Sequence, residues 1–144
     1  MKGGLRNQLF HYAFAKRLSI YNNCKLVIDN ITSFKKYDYI YNRKYSLDNF
    51  LINDKLADKS ERLEPFEKIR RNILTYYSKF KSFENKLIYN SEFLEFDKRF
   101  LHLIIKKSII LDGNWQSEYY FKDIEDEIRK NLLFRNYEIL KNNK

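Results

Sequence analysis

Two of the chain's three glycines stand side by side, at Gly3-Gly4, and a helical pattern follows them within a few residues. Adjacent glycines adopt backbone angles closed to other residues, so the chain can turn tightly there and a ligand can approach the peptide groups before the helix begins. A helix start also leaves several N–H groups unpaired and carries partial positive charge. Arg6, Asn7 and Gln8 add a guanidinium and two side-chain amides to that start. Gly3, Gly4, Arg6, Asn7 and Gln8 are therefore candidates for holding a phosphate or a sugar hydroxyl. A plainer role stays open, because Asn is a common helix cap and Asn7 stands where one belongs.

From Asn7 to about Tyr21, the apolar residues Phe10, Ala13, Phe14, Leu18 and Tyr21 recur at three- and four-residue steps, which predicts a helix ended by Asn22-Asn23. Lys25 to Asp29 reads as a short buried strand, and the glycine turn, helix and strand together look like part of a βαβ unit. Asp29 then lies at the carboxyl end of a strand, either as a ligand-facing group or as a solvated terminus. Residues 30–53 carry no sustained period. The alternating Tyr37, Tyr39, Tyr41 and Tyr45 are either a surface for sugar stacking or half-buried residues of an irregular connection.

Phe66, Ile69, Ile73, Tyr76 and Phe80 lay out an amphipathic helix within 61–80, with Pro65 near its first turn and Lys68, Arg70, Arg71 and Lys79 on a solvated face. Leu87-Ile88-Tyr89 is a further strand candidate, and Phe93, Phe96, Phe100 and Leu103 suggest a short helix. Ser108 to Asp112 reads as a second firm strand. It enters Gly113 and the cluster Trp115-Gln116-Ser117-Glu118 ahead of a helix with Phe121, Ile124, Ile128 and Leu132 on one face. Ser117 can be an ordinary cap and Trp115 an ordinary core aromatic. At the carboxyl end of a parallel strand, the same residues would face a cleft.

With 144 residues, 44% of them apolar and 17% aromatic, the chain can fill one core. Lys and Arg outnumber Asp and Glu by 28 to 19, for a formal charge of +9. That excess is spread along the chain and no nucleic-acid-binding motif accompanies it, so nucleic acid is not an expected partner. Cys24 is the only cysteine, which rules out an internal disulfide and suits a reducing compartment; a small buried side chain is expected there. His11 and His102 have no companions at metal-ligand spacing. No apolar run is long enough to span a bilayer, and the first residues show no cleavable signal pattern. The expectation is a cytoplasmic chain with at most peripheral membrane contact, weak unless an apolar anchor joins the cationic attraction.

Gly3-Gly4-Leu5-Arg6-Asn7-Gln8-Leu9-Phe10-His11-Tyr12-Ala13 resembles the amino-terminal signature of the family 11 glycosyltransferases, the bacterial and animal α-1,2-fucosyltransferases, written G-G-L-G-N-Q-hydrophobic-F-x-Y-A. Leu111-Asp112-Gly113-Asn114-Trp115-Gln116-Ser117-Glu118-Tyr119-Tyr120-Phe121 is similar to that family's L-D-G-x-W-Q-S-E-x-Y-F. Lys25 to Asp29 and Tyr45-Ser46-Leu47-Asp48-Asn49-Phe50 resemble its second strand and its F-x-L-D-x-F segment. The four blocks fall in the family's order.

The resemblance implies an α/β fold: the first Rossmann-like half of a two-domain glycosyltransferase, with additional helices, occupying residues 1–144 as one domain. It implies transfer of L-fucose from GDP-fucose to a galactose-containing glycan with inversion. The donor diphosphate would lie at Gly3, Gly4, Arg6, Asn7 and Gln8, and the acceptor at Trp115, Gln116 and Ser117. Asp112 and Glu118 are the carboxylates available for acceptor deprotonation, each useful only if its surroundings tune its pKa. No cofactor is implied beyond the donor substrate, and no metal, since no paired Asp-x-Asp stands ready to hold one.

Arg6 replaces the family's third glycine. It costs about 1–2 kcal/mol if that position needs positive φ, or else brings a charge towards the diphosphate. His11 stands where the family commonly has Gln. The family's opening strand and its H-x-R-R-G-D-Y segment have no counterpart, so both ends look cut and little turnover is expected from these residues alone. Two rival readings remain: a basic helical module that binds anionic polymers in a salt-dependent way, and the inactive product of a decayed gene.

Overall fold

The computed structural model describes residues 1–34, 43–90 and 95–135. Their elements are a long helix α1 (Leu5–Tyr21), strands β1 (Val27–Ile28) and β2 (Lys55–Leu56), helix α2 (Glu67–Ser78), strands β3 (Ile88–Tyr89) and β4 (Ile110–Leu111), and a short helix α3 (Glu125–Asn131), with several 3₁₀ turns between them. The chain is a small mixed α/β unit. β1 pairs in parallel with β2, and β3 in parallel with β4. Ladders of two residues hold little by themselves, so the fold rests on α1.

α1 is expected from its periodicity to bury one stripe, but residues 11–15 are buried in succession. Two hydrophobic clusters account for this. Tyr12 and Ala13 pack with Ile28, Leu47, Phe50, Ile52 and Ile128, while Phe14 and Leu18 pack with Tyr89, Phe100, Leu103, Trp115 and Tyr120. The helix stops where predicted. The Asn22 N–H donates to Leu18 O at 3.1 Å, and Asn23 turns to φ 48°, a left-handed conformation that Asn tolerates better than most residues.

Polar groups on so enclosed a helix need partners, and later segments supply them. The Tyr12 hydroxyl donates to Asp54 at 3.0 Å, and Lys16 reaches the same carboxylate at 2.8 Å. Arg17 bonds Asp123 at 3.1 Å and the Leu101 carbonyl at 2.5 Å. Asn22 donates to Leu103 O at 3.0 Å and accepts from the Ile105 N–H at 2.7 Å.

α2 departs from expectation in which way it faces. Phe66, Ile69, Ile73, Tyr76, Tyr77 and Phe80 point outwards, while Ser78 is buried and Arg71 turns in towards Asp29, 2.7 Å away. Arg71 is thus not part of a solvated cationic face. Cys24 is exposed rather than buried. The short helix expected around Phe100 is a 3₁₀ turn, Lys98–His102, and that expected after Ser117 is two 3₁₀ turns leading into α3. Tyr37, Tyr39, Tyr41 and Phe93 lie outside the described residues; Tyr45 is half-buried against the first cluster.

Phe14→Ala removes a ring common to three aromatic contacts, with Phe100, Trp115 and Tyr120, and is expected to cost about 3–5 kcal/mol. Ile73→Ser, on the outward side of α2, is expected to change stability by less than about 1 kcal/mol. Chemical denaturation of both variants is the check, and equal losses would place Ile73 in a core.

Candidate functional site

The two glycines divide the work of the opening bend. Gly3 sits at φ +77°, a conformation that residues with a Cβ rarely adopt, and a Cβ there would come within 2.6 Å of the Asn7 amide nitrogen. Gly4 has an ordinary extended backbone and precedes the helix, with nothing within 4 Å of where its Cβ would be. Asn7 does not cap α1. The helix begins at Leu5 with no side-chain cap and no acidic residue in its first turn. The N–H groups of Leu5, Arg6 and Asn7 are those an α-helix leaves unpaired, and Gly4 and Arg6 above them are exposed. Arg6 lies inside α1 and is not among the positive-φ residues, so an arginine at this position carries no backbone strain.

Gln8 is fully buried and its side-chain amide is committed to the chain itself. It donates to Gly3 O at 3.0 Å and to Lys44 O at 2.9 Å, and accepts from the Ser46 N–H at 3.0 Å. Its function in this geometry is to fix the bend against the 44–46 segment. Asn7 faces the other way. Gln116 donates to the Asn7 side-chain oxygen at 2.8 Å, joining positions 109 residues apart.

Trp115 beside it is 2% exposed, stacked on Phe14 with centroids 4.7 Å apart and edge-on to Phe100, which leaves no ring face open to a sugar. Ser117 precedes a 3₁₀ turn, Glu118–Tyr120, without capping it through its side chain, and Glu118 is exposed.

Asp29 and Asp112 follow β1 and β4, at the carboxyl ends of two parallel pairs, and cations gather on them. Arg71 lies 2.7 Å from Asp29 and 3.8 Å from Asp112; Lys2 lies 3.2 Å from Asp112. Burial pushes the Asp29 carboxyl up, but hydrogen bonds from Thr32 and Ile31 and the nearby amino terminus outweigh it and hold the group below its usual range. Sequence alone gives no signal for Lys2. Arg71 had one: it sits opposite the apolar stripe of α2, which is the inward side once that stripe faces out.

His11 lies between these charges and the core. It is 7% exposed, edge-on to Trp115 at 6.0 Å, and its Nε2 has no hydrogen-bond partner among the described residues. Burial, then the amino terminus and Lys2, push its pKa down to about 4, against the smaller opposing pull of Asn114 and Asp112. Among the described residues no three His, Cys, Asp or Glu side chains gather as a metal ion would need. A broad, open depression of about 620 Å³ lies at the opposite end of α1, lined by Ile20 and residues 122–127 and 130, away from the glycine bend.

A histidine near pKa 6.5 when unfolded and about 4 when folded binds more protons in the unfolded state between those values, so stability rises with pH across that window and is lost as the pH is lowered through it. The full loss is about 3 kcal/mol below pH 4, and His11→Gln is expected to remove most of it. Urea midpoints of both proteins across the window give the comparison; parallel curves would mean that His11 titrates normally. No protein-family model, curated protein or solved structure matches this chain.

Proposed function

We propose that the chain forms the first Rossmann-like half of an α-1,2-fucosyltransferase and presents the surface against which GDP-fucose and a galactose-containing acceptor are held. One observation carries the reading. The two segments that resemble the family's signatures, far apart in sequence, touch through the Asn7–Gln116 hydrogen bond at 2.8 Å. A chance likeness in two places gives no reason for them to be neighbours, whereas a common site does.

The uncapped start of α1 supports anion recognition beside that contact. The first-turn N–H groups, which have no partner within the helix, the positive end of the helix and the exposed Arg6 suit a diphosphate. In the reaction the acceptor hydroxyl attacks C1 of fucose from the face opposite the phosphate, the C1–O bond to GDP breaks with inversion, and the hydroxyl proton passes to a carboxylate. Negative charge accumulates on the departing diphosphate, and preorganised donors there supply the largest stabilisation.

Asp112 lies 3.2 Å from Lys2 and 3.8 Å from Arg71, and its role in this reading is to fix those two cations. Glu118, exposed at the turn that follows the second signature, takes the proton in this reading. Gln8 and Trp115 hold the site in place rather than touching substrate.

Titration of isotopically labelled protein with GDP-fucose, followed by amide NMR, is the test. Selective shifts at Gly4, Leu5, Arg6 and Asn7 that disappear in Arg6→Glu are expected. An unchanged spectrum at millimolar donor, or shifts spread over every basic surface and erased by modest salt, would contradict the proposal.

A further inference from the structure

We propose, independently of the sugar-transfer reading, that the outward face of α2 docks on an anionic lipid surface. The helix is inside out. Ile69, Ile73, Tyr76 and Tyr77 are between 49% and 62% exposed, and Phe66 and Phe80 at its two ends are 65% and 73% exposed. Together they make a continuous apolar stripe along the full length of the helix, whereas soluble chains scatter such residues singly.

Charge selects the occupant. Lys68 and Arg70 stand at the start of the stripe and Lys79 and Lys81 at its end, and all four are exposed. The single carboxylate within 66–81 is Glu67, which sits on the inward side and is only partly exposed. An apolar ridge accompanied by exposed cations is the arrangement that lies in a bilayer interface, with aliphatic and aromatic groups in the acyl boundary and long cationic side chains reaching back to lipid phosphates. Tyr76 and Tyr77 suit the headgroup level, where a ring can be buried while its hydroxyl stays wet.

A second copy of this chain fits less well. Packing α2 on its own twin would bring these four cations against another four, on molecules that each carry a formal charge of +9. The inward side of α2 is already engaged, with Arg71 on Asp29 and Thr75 accepting from the Asn90 amide at 2.9 Å, so the stripe can be presented without rearrangement.

Flotation of the purified protein with phosphatidylglycerol vesicles and with phosphatidylcholine vesicles, in low and high salt, tests this. Flotation with the anionic vesicles alone, reduced by salt and lowered on the order of tenfold in the double variant Ile73→Ser, Phe80→Ser, is expected. Circular dichroism melting of the variant should match the parent, which separates lost docking from lost folding. Absence of flotation with phosphatidylglycerol would overturn the proposal, and so would undiminished flotation of the variant, which would leave charge as the sole attraction. A dimer that dissociates in the variant would assign the stripe to a second copy instead.

Discussion

Helix α1 is enclosed by hydrophobic clusters on two sides, so its buried polar side chains need partners inside the protein, and most find them, His11 Nε2 being left without one among the described residues. A buried donor or acceptor left unpaired costs about 1–3 kcal/mol, a sizeable share of the stability of a chain this size. Gln8, Tyr12, Arg17 and Asn22 meet that demand by reaching backbone or carboxylate groups at 44–46, 54, 101–105 and 123. The order of segments around the helix follows from those bonds. It explains how parallel pairs of only two residues suffice, since the ladders finish an arrangement that helix packing has already set.

The same constraint leaves the amino-terminal end of α1 open. Gln8 spends its amide on holding Gly3 and the 44–46 segment, and Asn7 spends its side-chain oxygen on Gln116, so neither folds back to cap the helix. Gly3 takes the one conformation in the bend that requires a glycine, and none of the described residues comes within 4 Å of where a Cβ on Gly4 would be. Asp29 and Asp112 at the ends of β1 and β4 then collect Arg71 and Lys2 nearby.

Much of this is legible in the sequence wherever spacing and residue type act locally. The glycine bend, α1 and its Asn22-Asn23 stop, the strands at Val27–Ile28, Ile88–Tyr89 and Ile110–Leu111, and α2 all follow from periodicity and turn chemistry. Direction is what periodicity lacks. The stripe Phe66, Ile69, Ile73, Tyr76, Phe80 is equally regular whether it faces a core or solvent, so periodicity puts Arg71 on the solvent side and carries no sign of its bond to Asp29. β2 at Lys55–Leu56 has no apolar run of its own and exists because β1 lies alongside it. Trp115 and Gln116 are adjacent in the chain, yet one is buried against Phe14 and the other reaches Asn7.

The central claim is that the segments around Asn7 and Gln116 meet, and a double-mutant cycle measures their meeting directly. Asn7→Ala, Gln116→Ala and the combined variant, compared by urea denaturation, should show a coupling energy of about 1 kcal/mol. Additive losses, with coupling below about 0.3 kcal/mol, would mean that the two side chains do not touch and that the two halves of the site lie apart.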